Sequence, residues 1–87
     1  MITPLIHMNG TGEAGLLEPI TFAAHATTLA LRAVAECAPN ARDYYPLAAG
    51  SFELARSEHE ARVASIAAVV DALKALRLGI IAQRRER

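Results

Sequence analysis

The side chains best suited to hold a charged ligand stand together near the middle of the chain. Arg42 carries a planar guanidinium whose N–H donors fit phosphate or carboxylate. Tyr44 and Tyr45 add aromatic faces for stacking and hydroxyls for hydrogen bonds, while Asp43 can orient the arginine or accept from ribose-like hydroxyls. These residue types indicate a site for a nucleotide-like anion. The alternative is structural: the tyrosines plug the end of a helical bundle, and Arg42 and Asp43 pair locally.

A second polar group follows shortly after in the sequence. Arg56, His59 and Arg62 lie within one and a half turns of a helix, at the start of a stripe that continues to Ile66. Polar residues that begin an apolar stripe indicate a polar pocket at one end of a bundle, and a solvated first part of the helix is the alternative. Glu58 stands four residues before Arg62, a spacing that predicts a surface ion pair.

The N-terminal segment offers three more candidate ligand contacts, His7, Asn9 and Thr11. Asn9-Gly10 is a strong turn dipeptide, and we expect the segment to form an extended arm that folds back to close the pocket. His25 lies in mid-helix among Ala and Thr and is interpreted as structural.

Known catalytic and metal-binding patterns are absent from the sequence. His7, His25, Cys37 and His59 do not have the spacing of a metal site, and we expect no metal. The chain has no glycine-rich phosphate loop, no nucleophile elbow and no paired carboxylates on one helical face. We therefore expect a protein that is not an enzyme and needs no cofactor.

Length and composition bound the fold. The chain has 87 residues, of which 53% are hydrophobic, but nineteen are Ala and only 5% are aromatic. One domain is expected, with little large apolar surface for a core of its own. Nine basic residues balance nine acidic ones, so no overall field favours nucleic acid. A basic tail, 83–87, leaves nucleic-acid binding as a further alternative.

The sequence also predicts a location. Cys37 is the single cysteine, so no intrachain disulfide forms, in keeping with a reducing compartment. The longest uncharged run, Pro19–Leu31, is too short to cross a bilayer, and no signal peptide is visible. We expect a cytoplasmic protein without membrane contact.

The apolar periodicity predicts an arm (1–12), a first helix (13–38), a connector (39–50), a second helix (51–82) and the basic tail. Thr11 or Gly12 is the predicted N-cap of the first helix, and Ser51 that of the second. Pro19 either kinks the first helix or marks its start. The predicted inner seam of the first helix consists of Leu17, Ile20, Ala24, Thr27, Leu31, Val34 and Ala38. That of the second consists of Arg62, Ile66, Val69, Leu73, Leu76 and Ile80.

These elements predict an all-α fold, an antiparallel helical hairpin with an extended N-terminal arm. Val63 and Val70 on one flank, with Ala23, Ala30 and Cys37 on another, would stay wet in a monomer. We therefore expect a homo-oligomeric helical bundle.

Three motifs, HMNGT (7–11), NARDYYP (40–46) and ARSEHEAR (55–62), together resemble a family of small helical proteins of tailed phages and prophages. Members share an HMNGT-like arm, a connector similar to NGRDYYPQG and a helix start of the form EH.AR, and the resemblance covers nearly the whole chain. This sequence departs from the pattern at Pro19, at Leu47-Ala48, where Gln-Gly is usual, and at Ala41, where Gly is usual. Because Ala disfavours positive φ, Ala41 argues against a left-handed turn there.

In size and style the chain also resembles the phage sponges, compact oligomers that sequester the nucleotide signals of bacterial immunity. The resemblance implies a non-enzymatic anti-defence protein in the cytoplasm of an infected or lysogenic bacterium. It would bind a cyclic dinucleotide or an ADP-ribose derivative in pockets between protomers, with Arg42 on phosphate and both tyrosines on the base or ribose. The other residues of the predicted site are Asp43, Arg56, His59, Arg62, His7, Asn9 and Thr11. The alternative is a helical interaction module that docks on a phage or host protein through apolar helix faces.

Overall fold

The computed structural model describes residues 1–86 and contains two long helices, α1 (Glu13–Ala35) and α2 (Ser51–Ala82). A short 3-10 helix, Ala41–Asp43, lies in the connector, and another, Gln83–Glu86, follows α2. Over these residues the chain is all-helical and the long helices pack on each other, as the sequence predicted. Residue 87, the last of the predicted basic tail, lies outside the described residues.

Helix α1 differs from its prediction at the C-terminal end. It stops at Ala35 instead of residue 38, since Pro39 has no N–H to donate to the Ala35 carbonyl and disfavours helical geometry at Ala38. Its N-cap is Gly12, which supplies no side-chain hydrogen bond. Pro19 lies inside the helix, so it does not mark the start. With no N–H on Pro19, the carbonyl of Gly15 loses its usual helical partner.

Helix α2 has the predicted bounds, 51–82, but a different N-cap. The N-cap is Gly50 and not Ser51, which is already the first helical residue. Gly50 has a φ of 89°, a left-handed conformation that an L side chain adopts only with strain. The turn from connector to helix therefore depends on glycine at position 50, which adopts the left-handed conformation without strain.

The inner face of α1 is largely the predicted one. Its seam residues within the helix are all half-buried, whereas Ala38 lies beyond the helix end and is exposed. Thr27 and Thr28 satisfy their hydroxyls on carbonyls one turn earlier, Thr27 to Ala23 at 2.7 Å and Thr28 to Ala24 at 2.8 Å. Two threonines can therefore face the other helix without leaving a buried hydroxyl unpaired.

The inner face of α2 is rotated relative to the predicted seam. Arg62 and Val69 are exposed, while Val63 is half-buried and Val70 is only 4% exposed. The expectation that Val63 and Val70 stay wet was therefore wrong. Burying the guanidinium of Arg62 would cost far more than exposing part of a valine, so α2 turns its valine side toward α1.

The arm is docked on the C-terminal end of α2. The Ile6 N–H donates to Gln83 Oε1 at 3.0 Å, and Gln83 Nε2 donates to the Pro4 carbonyl at 2.7 Å. Thr3 lies so close to Gly79 that a Cβ there would stand 2.9 Å from the Thr3 hydroxyl. The small Gly79 thus lets the arm approach the helix, and below it Ile80 is fully buried.

Two polar contacts set the register of the hairpin. Arg84 pairs with Glu13, and Arg77 Nε donates to Thr21 Oγ1 at 3.2 Å. The result is a rod of 63 × 19 × 19 Å with a radius of gyration of 19.2 Å. A compact chain of this length would have a radius of gyration of about 12 Å. The connector and the arm therefore occupy opposite ends of an elongated molecule.

Candidate ligand-binding site at the connector

The connector is a series of tight turns held by its own backbone. The Arg42 N–H donates to Asn40 Oδ1 at 3.0 Å, which starts the 3-10 helix, and Tyr44 N–H donates to the Ala41 carbonyl at 3.0 Å. No residue other than Gly50 has a positive φ within residues 1–86, so Ala41 adopts no left-handed turn. The connector thus reaches its fold without the glycine that the resembled family usually has.

Aromatic packing attaches the connector to the first turns of α2. The ring of Tyr44 lies 6.1 Å from that of Phe52, with an angle of 53° between the planes. The guanidinium of Arg56 lies 5.7 Å from the centre of the Phe52 ring, within cation–π range. Tyr44 is half-buried by this packing, whereas Tyr45 is 82% exposed. Tyr44 therefore packs against α2 within the chain, whereas the ring of Tyr45 lies largely in solvent.

A cavity of about 230 Å³ lies between the connector and the start of α2. Its lining residues are Ala41, Tyr44, Tyr45, Leu47, Ala48, Ala49, Gly50, Ser51, Phe52 and Glu53. Sites for small molecules usually measure about 300–1,000 Å³. The single chain therefore forms a concave surface that is smaller than a complete site for a nucleotide.

The N-terminus of α2 opens onto this cavity with unpaired backbone donors. The Ser51 N–H donates to the Ala48 carbonyl at 3.1 Å, and the Leu54 N–H donates to Gly50 at 3.0 Å. Between them, the N–H groups of Phe52 and Glu53 have no acceptor among the described residues, since Gly50 has no side chain to cap them. Backbone donors at a helix N-terminus favour an anion. Glu53 also lines the cavity, and its negative charge opposes anion binding.

The charged residues of the predicted site do not line the cavity. Arg42 and Asp43 are exposed on the 3-10 helix and form no salt bridge within residues 1–86. Arg56 is exposed and lies 4.0 Å from Glu60. The predicted pair between Glu58 and Arg62 is not formed in the described part of the chain, and Arg62 is exposed on the flank of α2.

His59 has a different position from its neighbours in sequence. It is 7% exposed, and its Nδ1 atom is buried without a hydrogen-bond partner among the described residues. An unpaired buried nitrogen is unfavourable by about 1–3 kcal/mol. The predicted polar pocket is therefore not open to solvent at His59, because this side chain is buried in the hairpin.

The arm residues lie at the far end of the rod. The Gly10 N–H donates to the His7 carbonyl at 3.2 Å, which confirms the predicted turn, and the His7 ring covers Gly10 so closely that a Cβ there would clash. His7, Asn9 and Thr11 are all exposed. Helix α1, about 35 Å long, separates them from the connector. Within one chain the arm does not close the connector cavity.

Sequence reasoning missed Phe52 and Glu53 as part of this region. Phe52 is one of only four aromatic residues in the chain, and it follows the connector by two positions. That scarcity was a usable signal, because a large apolar side chain so close to the connector tyrosines could be expected to pack on them.

The described residues contain no group of His, Cys, Asp and Glu side chains arranged to hold a metal ion. Cys37 has a free, exposed thiol. Neither long helix combines the length and the apolar composition needed to span a membrane. No protein-family model, curated protein or solved structure matches the chain.

Proposed function

We propose that this chain is a non-enzymatic binding protein that sequesters a small nucleotide-derived signal at the connector. As the resemblance to phage anti-defence proteins implies, it would act in the cytoplasm of an infected or lysogenic bacterium. The supporting observation is the cavity where the two connector tyrosines meet the uncapped N-terminus of α2.

The chemistry of this surface suits a phosphorylated, aromatic ligand. The N–H groups of Phe52 and Glu53 are donors for a phosphate oxygen, and Arg42 stands beside the cavity on the neighbouring turn. The exposed ring of Tyr45 is available to stack on a base, an interaction worth about 1–3 kcal/mol. Sequestration requires only binding and no catalytic group.

The test is calorimetric titration of the protein with cyclic dinucleotides and with cyclic ADP-ribose isomers. We expect micromolar or tighter binding of at least one of them, weakened about tenfold or more by Tyr45→Ala. Because Tyr45 is exposed, this substitution leaves the hairpin intact. Leu78→Ala, at an exposed position of α2, is the control and should bind as the wild type does. No binding of any of these compounds would refute the proposal.

A second candidate, docking on a phage or host protein, is supported by the large apolar side chains that remain in solvent. Phe22 is 75% exposed, and Leu29 is 49% exposed on the same helix. This candidate predicts activity that survives Tyr45→Ala and is lost with Phe22→Asp. Val63 and Val70 are unsuitable for this test, because both lie in the packing between α1 and α2.

A further inference from the structure

Helix α1 carries a second apolar face, opposite the one that packs on α2. Its members follow one another at spacings of three and four residues, the repeat of helices that pack side by side. We call them the α1 outer stripe: Gly15, Pro19, Phe22, Ala26, Leu29 and Ala33. All six are exposed. A helix that is apolar on both faces is normally buried on both.

The rod exposes more surface than a compact chain of its mass would, and the excess is large enough for an interface with a partner. The chain of 9.3 kDa exposes 6473 Å². A compact monomer of that mass exposes about 5,000 Å², so the excess is about 1,500 Å². An interface of standard size removes about 800 Å² from each partner. One further copy of the hairpin is therefore enough to form a stable interface with the surplus.

We propose that two copies pair antiparallel through the α1 outer stripe, so that the arm of each copy reaches the connector of the other. In this pairing Glu13 lies level with Ala35 of the second copy, and the two α1 helices overlap along their whole length. Phe22 then faces Ala26 of the second copy, and Leu29 faces Pro19. Each large side chain meets a small or flat one, as close packing of helices requires.

Charge complementarity selects the antiparallel direction. Glu18 and Arg32 lie fourteen residues apart, on the same edge of the α1 outer stripe, with His25 midway between them. In an antiparallel pair, the edge of the stripe that carries Glu18 and Arg32 lies against the same edge of the second copy. Glu18 of each copy therefore comes beside Arg32 of the other. Neither residue forms a salt bridge within its own chain over residues 1–86. Both ion pairs form together, because a two-fold axis repeats every contact.

The pairing also completes the candidate site, and this part of the inference rests on the proposed function. Gly12, the N-cap of α1, lies level with residue 36 of the second copy, just past the end of its α1 and three residues before its connector. Asn9 and Thr11 therefore stand beside the partner's connector, although the same residues lie far from their own. Two composite sites result, each with an arm from one copy and a cavity from the other.

The interface is tested first without any ligand, by sedimentation equilibrium. We expect a dimer of twice 9.3 kDa, and Phe22→Asp should weaken dimerisation at least about 30-fold. Leu78→Asp is the control, since Leu78 is 63% exposed but belongs to α2. Circular dichroism should show unchanged helix content for both variants. A monomeric wild type, or a dimer that Phe22→Asp leaves intact, would overturn the proposal.

A charge exchange tests the antiparallel register. Glu18→Arg alone and Arg32→Glu alone each place like charges together at both ends, and each should weaken dimerisation roughly tenfold. An equimolar mixture of the two variants restores both ion pairs and should form heterodimers as stable as the wild type. If mixing does not restore dimerisation, Glu18 and Arg32 are not neighbours and the register is wrong.

Cross-linking locates the arm. Cys37 is the single cysteine, so Thr11→Cys adds the only other thiol. The pairing brings this position close to Cys37 of the second copy, and a short bismaleimide should yield covalent dimers. The wild type should give none, because its two Cys37 thiols lie at opposite ends of the assembly. Absence of covalent dimers from the Thr11→Cys variant would refute the shared site, whether or not a nucleotide binds.

Discussion

Glu53 is the only carboxylate among the residues that line the connector cavity, and it acts on the helix and the site in opposite ways. In the first turn of α2 its charge stabilises the helix by about 0.3–1 kcal/mol through the helix dipole. The same charge stands beside the unpaired N–H groups where an anion would bind. Glu53 therefore stabilises the helix when no ligand is bound, and the same charge would lower the affinity of the site for phosphate.

Glu53→Gln should therefore separate the two effects. We expect nucleotide affinity to rise severalfold, because a repulsive charge next to the ligand is removed, while stability falls by about 0.3–1 kcal/mol. Titration calorimetry measures the first quantity and urea unfolding the second. Glu58→Gln, at an exposed position further along α2, is the matched control and should change neither affinity nor stability by much. An affinity unchanged by Glu53→Gln would mean that the ligand's charge lies elsewhere.

At the scale of the elements, the arm depends on one side chain at the end of α2. Gln83 accepts from the Ile6 N–H and donates to the Pro4 carbonyl, so both hydrogen bonds that hold the arm pass through its amide. Nothing comparable was predicted from the sequence, since Gln83 was assigned to a basic tail. The docked arm keeps His7 and Asn9 at a fixed end of the rod.

Gln83→Ala should release the arm without unfolding the hairpin. Two hydrogen bonds of about 1 kcal/mol each are lost, and hydrogen exchange at the Ile6 amide should accelerate at least about tenfold. Gln83→Glu is the matched control, because a carboxylate still accepts from Ile6 but no longer donates to Pro4. Its effect should be intermediate. Equal protection of Ile6 in all three proteins would show that other contacts hold the arm.

The helices themselves were largely predictable, because apolar spacing alone identifies a helix and its inner face. The seam of α1 follows directly from residues such as Leu17 and Leu31. The rotation of α2 was not predictable from apolar spacing. Two inner faces fit the spacing, one through Arg62 and one through Val63, and both contain Ile66. Only the packed hairpin decides between them, through the cost of burying the arginine. In the candidate site, the tyrosine pair could be identified from residue types in the connector alone, but the burial of His59 depends on the other helix.

At the scale of the whole molecule, the arm and the connector lie at opposite ends of a 63 Å rod. The sequence analysis placed both in one site, and one chain does not bring them together. The proposed antiparallel pairing would reconcile the two, because each end of the assembly would then hold the arm of one copy and the connector of the other. In that assembly a small chain with little core of its own would obtain from its partner both packing surface and ligand contacts.

A shared site has a signature that a site within one chain cannot produce. Arg32→Glu/Arg42→Ala chains and Glu18→Arg/His7→Ala chains should each bind nucleotide weakly, because every site in either homodimer lacks one contact. When they are mixed, the complementary charges at 18 and 32 favour the heterodimer. One of its two sites then lacks both contacts, while the other combines an intact arm with an intact connector. Calorimetry should recover wild-type affinity at one ligand per heterodimer. If arm and connector act within the same chain, both sites of the heterodimer stay defective and mixing recovers nothing.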